Sequence, residues 1–334
     1  MATALVIGGS GQIGRAVVPA LLEDGWDVRV LVRHAADVGG AQLVRGDRQD
    51  PDVLDEALAG GVDVLVDVVA YDDRQAAPLI ERADRIGSAV VVSSAAVYVD
   101  DAGDGFESEE FGSFPVPVTE DQATVGPGRD TYATGKVALE QAWSASSVPT
   151  TVLRPGAIHG PGCVQPREWT FVKRVLDGRD VRVLAYDGLS RFHTTATSVL
   201  GELVRLAAQQ PGHRVLNAAD PQALTVAEIA AAVDAAMGVT SRLVTVAGDP
   251  VDGVGLTPWA VPRPMVLDMQ RAADELGYVA PGGYEDTVGA CVRWLVEAAA
   301  ARDWREAFPG FVRMEAMGDF FAYAAEDAFL ARTR

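Results

Sequence analysis

Tyr132 and Lys136 stand four apart in the run Tyr132-Ala133-Thr134-Gly135-Lys136, and their types and spacing suit the movement of a proton. On a helix, positions i and i+4 share a face, so the ammonium stands by the phenol and favours its ionised form. A tyrosine whose proton is loosened in this way exchanges it with a carbonyl or an alcohol near neutral pH. The same spacing on a solvated helix surface does nothing, so its meaning depends on the elements that hold it. The pattern from Val137 to Ser144 is helical. Before it, Ala89 to Val92 reads as a buried strand that runs into Ser93-Ser94-Ala95-Ala96-Val97-Tyr98.

The first turn of the chain supplies the second half of such chemistry. Leu5, Val6 and Ile7 form an apolar strand, followed by Gly8-Gly9-Ser10-Gly11-Gln12-Ile13-Gly14 and a helix beginning near Arg15 and ending near Gly25. Val28 to Val32 is a second buried strand, which completes a βαβ unit. In a turn of this kind Gly8 permits the bend, Gly11 lets the backbone approach a pyrophosphate and Gly14 lets the helix pack close on the strand, with the helix N-terminus facing the phosphates. A dinucleotide is therefore expected across residues 8–14, with Gln12 and Ile13 inside its contact surface.

An acidic residue about 20 positions beyond the glycines normally holds the adenosine ribose. This chain has Arg33 and His34 there. A guanidinium pairs with a 2′-phosphate, so NADP(H) is favoured over NAD(H), the alternative being a solvated arginine. Leu43 and Val44 give a third strand, after which Asp47 either accepts from the adenine amino group or caps the next helix. Asp52 to Leu58 reads as a helix, Val62 to Val69 as a fourth strand and Ala76 to Ile86 as a helix. Val99 to Gly128 is a long irregular stretch, either bordering a substrate cleft or simply solvated.

These motifs, taken in order, identify a family resemblance. Gly8 to Gly14, Gly46-Asp47, Ser93 to Tyr98, Val118-Thr119-Glu120-Asp121, Tyr132 to Lys136, Leu153-Arg154-Pro155, Gly160-Pro161-Gly162, Leu216-Asn217-Ala218-Ala219, Leu224 to Ile229 and Leu276-Gly277-Tyr278 resemble the extended short-chain dehydrogenase/reductases, specifically the NAD-dependent epimerase/dehydratase family. The resemblance reaches to about Trp294. It implies a doubly wound parallel α/β sheet of Rossmann type, with a cofactor domain over 1–160, further Rossmann elements near 190–220, and a smaller substrate lobe with a helical extension over 161–334. It also implies that Tyr132 is the acid/base, that Lys136 holds the nicotinamide ribose and tunes Tyr132, and that Ser94, with Ser93 as fallback, hydrogen-bonds the reacting oxygen. Pro155, just after a sixth strand Thr150 to Leu153, is placed near the nicotinamide. A homodimer is expected on the same ground.

The implied activity is reduction of a carbonyl, or oxidation of the alcohol, in a small organic substrate. The alternatives are a nucleotide-sugar epimerase or dehydratase that recycles its cofactor, and a non-catalytic nucleotide-sensing or RNA-binding protein. The chain departs from the family where His159 stands for a tyrosine and where Arg191-Phe192-His193-Thr194-Thr195-Ala196-Thr197-Ser198 lacks the usual acids. Arg191 faces a substrate phosphate or solvent. His159 and His193 are either proton-transfer aids or satisfied structural residues, and neither is counted as catalytic. Trp169 and Phe171 line a pocket or belong to the core. The segment Val254 to Met265 is a connection, and a helix is expected from Met314 to Ala331.

Composition limits the partners. A formal charge of −19 repels a phosphate backbone, which argues against nucleic acid. The two cysteines, Cys163 and Cys291, lack metal-ligand spacing and are expected to be buried thiols, with no metal. With 334 residues, 49% of them hydrophobic, the chain can build a large core, and it has no apolar run of membrane-spanning length and no signal-peptide pattern, so a cytoplasmic protein without a membrane partner is expected.

Overall fold

Residues 2–34 and 37–332 are described by the computed structural model, so the outermost ends of the two expected domains lie outside the described residues. The chain divides into two compact units. One comprises Met1–Gly156, Thr197–Ala219 and Leu267–Pro281, and the other Ala157–Ala196, Asp220–Val266 and Gly282–Arg334.

The first unit is built on seven parallel strands: β1 (Thr3–Ile7), β2 (Asp27–Val32), β3 (Gln42–Arg45), β4 (Val64–Asp67), β5 (Ala89–Val92), β6 (Thr150–Pro155) and β10 (Arg214–Ala218). Their order is β10-β6-β5-β4-β1-β2-β3, so the chain winds outward from β1 in one direction and then crosses to β4 and winds in the other. The crevice at such a reversal, at the carboxyl ends of the strands, is where this architecture receives ligands. Strands buried on both faces explain the continuous apolar runs read from the sequence.

Helices cover both faces of that sheet. On one side α2 (Pro51–Ala57), α3 (Asp73–Ile80) and α4 (Tyr132–Ser144) contribute Leu54, Leu79, Leu139 and Trp143 to a core with Leu5, Ile7, Leu65 and Val91. On the other lie α1 (Gly14–Glu23) and α6 (Thr197–Gln209), which approach so closely that a Cβ at Gly201 would stand 3.0 Å from the carbonyl oxygen of Ala16. The unit is completed by α8 (Gln270–Leu276).

Pro155 belongs to β6 itself, paired with Ala218, rather than following the strand. Its missing donor is tolerated for a geometric reason. Amides alternate sides along a strand, and Gly156 N–H points to Ala218 O, so the Pro155 nitrogen faces β5, whose pairing has already ended at Leu153. The stretch after β5 is fixed rather than loose. Asp100 accepts from the N–H groups of Ala102, Asp104 and Ser113, and Phe106, Phe111 and Phe114 pack edge to face.

The second unit holds two parallel two-stranded sheets, β7 (Ala157–His159) with β9 (Thr194–Ala196) and β8 (Val181–Leu184) with β11 (Arg242–Thr245). Its core joins α5 (Trp169–Leu176), α7 (Val226–Ala236) and α9 (Tyr284–Ala301) to the C-terminal helices α10 (Trp304–Ala307) and α11 (Pro309–Met314) and to Phe320, which precedes α12 (Tyr323–Arg332). Trp169 and Phe171 are core residues, in contact with Phe308, Phe311 and Phe320 or their neighbours. The single helix expected over 314–331 is instead broken: Gly318 takes φ +135°, and α12 starts only at Tyr323. Arg174 pins α12 by a two-pronged bond to Glu326 (2.8 and 2.7 Å) and a bond to the Phe320 carbonyl (2.7 Å), with both side chains buried. Both cysteines are buried thiols outside any disulfide, Cys163 donating to the Ile158 carbonyl (3.4 Å), and no described helix is long and apolar enough to cross a membrane.

Candidate active site

Six parts of the candidate site in the first unit lie at or just beyond the carboxyl ends of parallel strands, and Tyr132 and Lys136 come from α4. Gly8 follows β1, Arg33 follows β2, Asp47 follows β3, Ala70 follows β4, Ser94 follows β5, and Pro155 ends β6.

The glycine turn is dictated by close packing. Gly8 takes φ +90°, its N–H bonds to Leu31 O (3.1 Å), and a Cβ there would stand 2.4 Å from Val69 Cγ1. A Cβ at Gly14 would stand 2.3 Å from Gly9 Cα, so the third glycine brings α1 against the turn rather than against the strand. Gly9 was not singled out in the sequence, yet a Cβ there would meet Val30 at 2.5 Å. Gly11 differs: its nearest neighbour would be Gly8 O at 3.3 Å, an approach that leaves one side of the turn open.

Ile13, the residue before α1, offers no capping side chain, and no acid occupies the first turn. The Arg15 and Ala16 N–H groups bond to the carbonyls of Gly11 and Ile13 (3.0 and 2.9 Å), so what this helix end offers an anion is its partial positive charge, which no capping side chain or acid offsets. The residues present fit a dinucleotide. Gln12 is half-buried beside Ile13, while Arg33 and His34 are exposed at the end of β2. Asp47 accepts from Gln49 N–H (2.9 Å), and Asp50 caps α2, so the carboxylate of Asp47 closes a turn ahead of that helix.

Lys136 is buried, and its Nζ donates to the carbonyls of Ala70 (2.7 Å) and Val92 (2.8 Å), which ties α4 to the ends of β4 and β5. The ammonium stands 5.6 Å from the centre of the Tyr132 ring. Burial pushes Lys136 down to about 8, against the upward pull of Asp67 and Glu140. Tyr132 is the first residue of α4, after the Thr131–Thr134 capping box, and Glu107 accepts from the Tyr132 and Ala133 N–H groups (3.3 and 2.9 Å). The irregular stretch after β5 thus supplies an anchor to the helix that carries the pair.

Ser94 is half-buried and accepts from Ala96 N–H (3.1 Å). Ser93, the fallback, is buried and donates to Glu140, whose carboxylate also takes a two-pronged bond from Arg154 (3.0 and 2.6 Å). The Arg154 guanidinium lies 4.9 Å over the Tyr98 ring, and Tyr98 donates to Asn217 Oδ1 (2.7 Å). Burial pushes the Tyr98 phenol up to about 12. Three contributors were not legible as such: Tyr71, whose ring packs on Tyr132; Gly135, where a Cβ would stand 3.1 Å from Tyr71 O; and Asp67, fully buried and clasped by Arg48 (2.7 and 2.6 Å). A glycine inside a helix was the available signal for Gly135.

In the second unit both histidines are held by Asp220 through Nε2, while His159 Nδ1 is buried with no hydrogen-bond partner among the described residues. His159 Nε2 lies 3.0 Å from Asp220 Oδ2, Thr194 donates to the same oxygen (2.6 Å), Ala196 N–H bonds the other (2.8 Å), and His193 Nε2 is 2.8 Å from the Asp220 carbonyl oxygen. Burial opposes ionisation of Asp220, but these bonds outweigh it and hold the carboxyl below its usual range. Arg191 is exposed.

Residues 8–166 match a family model described as NAD(P)H-binding. The ceramide reductase of Caulobacter vibrioides is 30% identical over 163 residues, covering 47% of this chain and 46% of that protein. The chloroplast stem-loop binding protein of 41 kDa b from Arabidopsis thaliana is 26% identical over 196 residues, 54% of this chain and 48% of its own. The chain thus spans about half the length of these curated relatives. The dTDP-glucose 4,6-dehydratase of Bacillus anthracis, solved with NAD, superposes with a TM-score of 0.66 at 18% identity, covering 92% of this chain and all of that one.

Proposed function

We propose that this chain, whose fold is that of the extended short-chain dehydrogenase/reductases of the NAD-dependent epimerase/dehydratase family and whose residues 8–166 match the NAD(P)H-binding family, is an NADP(H)-dependent oxidoreductase acting on the carbonyl of a small organic molecule. The observation that carries this reading is the buried ammonium of Lys136, held by two carbonyls and set beside Tyr132. Cofactor binding falls to the first unit, and assignment of the substrate to residues 161–334 is part of the proposal.

The bound nicotinamide supplies a hydride to the carbonyl carbon. Gly8, Gly11 and Gly14 admit the pyrophosphate at the start of α1, and Arg33 pairs with the 2′-phosphate. Tyr132 gives its phenolic proton to the carbonyl oxygen, and Lys136 stabilises the phenolate left behind. Ser94 accepts from Ala96 N–H, so its own O–H remains available to donate to the reacting oxygen and stabilise charge developing there. In the reverse direction Tyr132 takes up the proton.

Replacement of Tyr132 by Phe tests the reading: NADPH binding persists while turnover falls by about 10²-fold or more. Unchanged turnover sinks it. Cofactor preference has its own test, because Arg33→Ala is expected to weaken NADPH far more than NADH, and equal losses remove the 2′-phosphate assignment. Fold likeness to a nucleotide-sugar dehydratase supports the second reading, internal recycling of the cofactor, and NAD retained tightly through purification would favour it over net reduction. The acidic chain and the Tyr132–Lys136 pair both weigh against a non-catalytic RNA-binding role.

A further inference from the structure

We propose that Tyr71 is a positioning residue for the Tyr132–Lys136 pair, its ring fixing the side chain of Tyr132 beside the ammonium; the functional value of this role rests on the reading of that pair as the proton-transfer centre. Tyr71 is 60% exposed and belongs to neither of the two cores described above, so a ring of this size needs another reason to be where it is. Its ring centre lies 5.9 Å from that of Tyr132 at 70°, an edge-to-face contact. The Lys136 ammonium is 5.5 Å from the Tyr71 ring and 5.6 Å from the Tyr132 ring, so the two rings flank one charge.

The turn that presents Tyr71 is held at every residue. Asp67 takes the two-pronged bond from Arg48 and accepts from Val69 and Ala70 N–H (3.2 Å each). Val69 lies against Gly8, Ala70 O accepts from Lys136, and Tyr71 N–H donates to Gln75 Oε1 (2.6 Å). Gly135 then allows α4 to approach the Tyr71 carbonyl. This short segment therefore runs from the glycine turn to the phenol and ammonium, and Tyr71 is its last residue.

Tyr132 is 41% exposed and opens α4, where no helical turn precedes it to restrict its rotamers. An aromatic edge contact of this kind shifts a rotamer balance by about two- to tenfold.

The test compares the full chain with Tyr71→Phe and Tyr71→Leu, using tyrosine labelled with ¹³C and ¹⁵N and the three-bond couplings that report the Tyr132 χ1 angle. Tyr132 signals are assigned by their loss in Tyr132→Phe. The exposure of Tyr71 means that both variants keep the core intact. One dominant rotamer is expected in the wild type and in Tyr71→Phe, with a two- to tenfold loss of that dominance in Tyr71→Leu. The same dominant rotamer in Tyr71→Leu overturns the proposal, as does loss of the rotamer in Tyr71→Phe. No substrate enters this measurement, so its failure is distinct from failure of the proton-transfer reading, which Tyr132→Phe turnover decides. Where carbonyl-dependent NADPH oxidation is followed, Tyr71→Leu lowers kcat two- to tenfold with little change in the KM for NADPH, and Tyr71→Phe restores it; an unchanged kcat in Tyr71→Leu also overturns the role.

Discussion

Gly11→Ala separates what the fold needs from what a cofactor needs. At Gly8 and Gly14 an added Cβ would stand 2.4 Å from Val69 Cγ1 and 2.3 Å from Gly9 Cα, so glycine is demanded by packing whether or not anything binds. At Gly11 the only close atom among the described residues is Gly8 O at 3.3 Å, a contact relieved by a shift of a few tenths of an ångström. Alanine there also restricts the unfolded chain, which offsets that cost by about 0.4–1 kcal/mol. The melting temperature is therefore expected to stay within about 3 °C of wild type. Yet the same methyl would project into the path of the pyrophosphate, and an overpacked contact costs about 1–3 kcal/mol, or roughly 5- to 150-fold in Kd. Thermal melts beside NADPH titrations followed by nicotinamide fluorescence read both quantities. Wild-type affinity in a normally stable Gly11→Ala variant would refute the placement of a dinucleotide at this turn.

The remaining predictions concern the ionic groups. Turnover is expected to fall as pH rises through about 8, because burial holds Lys136 there and loss of its proton removes the charge that stabilises phenolate; a profile flat to pH 10 contradicts this. In folding, the native state releases this proton at about 8 and the unfolded chain only near 10.5, so stability from this group rises over that window. The stability difference between wild type and Lys136→Met should accordingly grow by on the order of 3 kcal/mol between those pH values, as measured by urea unfolding. Glu326→Ala leaves buried Arg174 without its carboxylate partner and should cost about 3–5 kcal/mol, with α12 becoming open to limited proteolysis. Tyr98→Phe strands Asn217 Oδ1 and should cost about 1–3 kcal/mol in the same unfolding measurement, while the ring remains under Arg154.

Local pattern was enough where an element is long or strongly apolar. The strand Ala89–Val92 and the glycine turn stand where the residues place them, because a strand buried on both faces and a turn without Cβ atoms leave unmistakable marks. The helix over 314–331 failed because Phe320 and Phe321 reach the core from the segment between α11 and α12, after Gly318 has turned the chain. β7 and β9 have three residues each, too few for alternation to register. The bond of His159 to Asp220 joins residues 61 apart, and nothing local in the sequence announces it. Tyr71 was hidden for the same reason: its meaning comes from a ring 61 positions away that α4 brings to the end of β4.

The most direct measurement is a single-turnover experiment in which the protein is loaded with NADPH and mixed with a panel of aldehydes and ketones while nicotinamide absorbance is followed. The wild type is expected to bind NADPH and to oxidise it with at least one class of carbonyl, leaving the alcohol. Failure to bind NADPH or NADH, or a bound cofactor that remains reduced against the whole panel, would contradict the assignment of a carbonyl reductase.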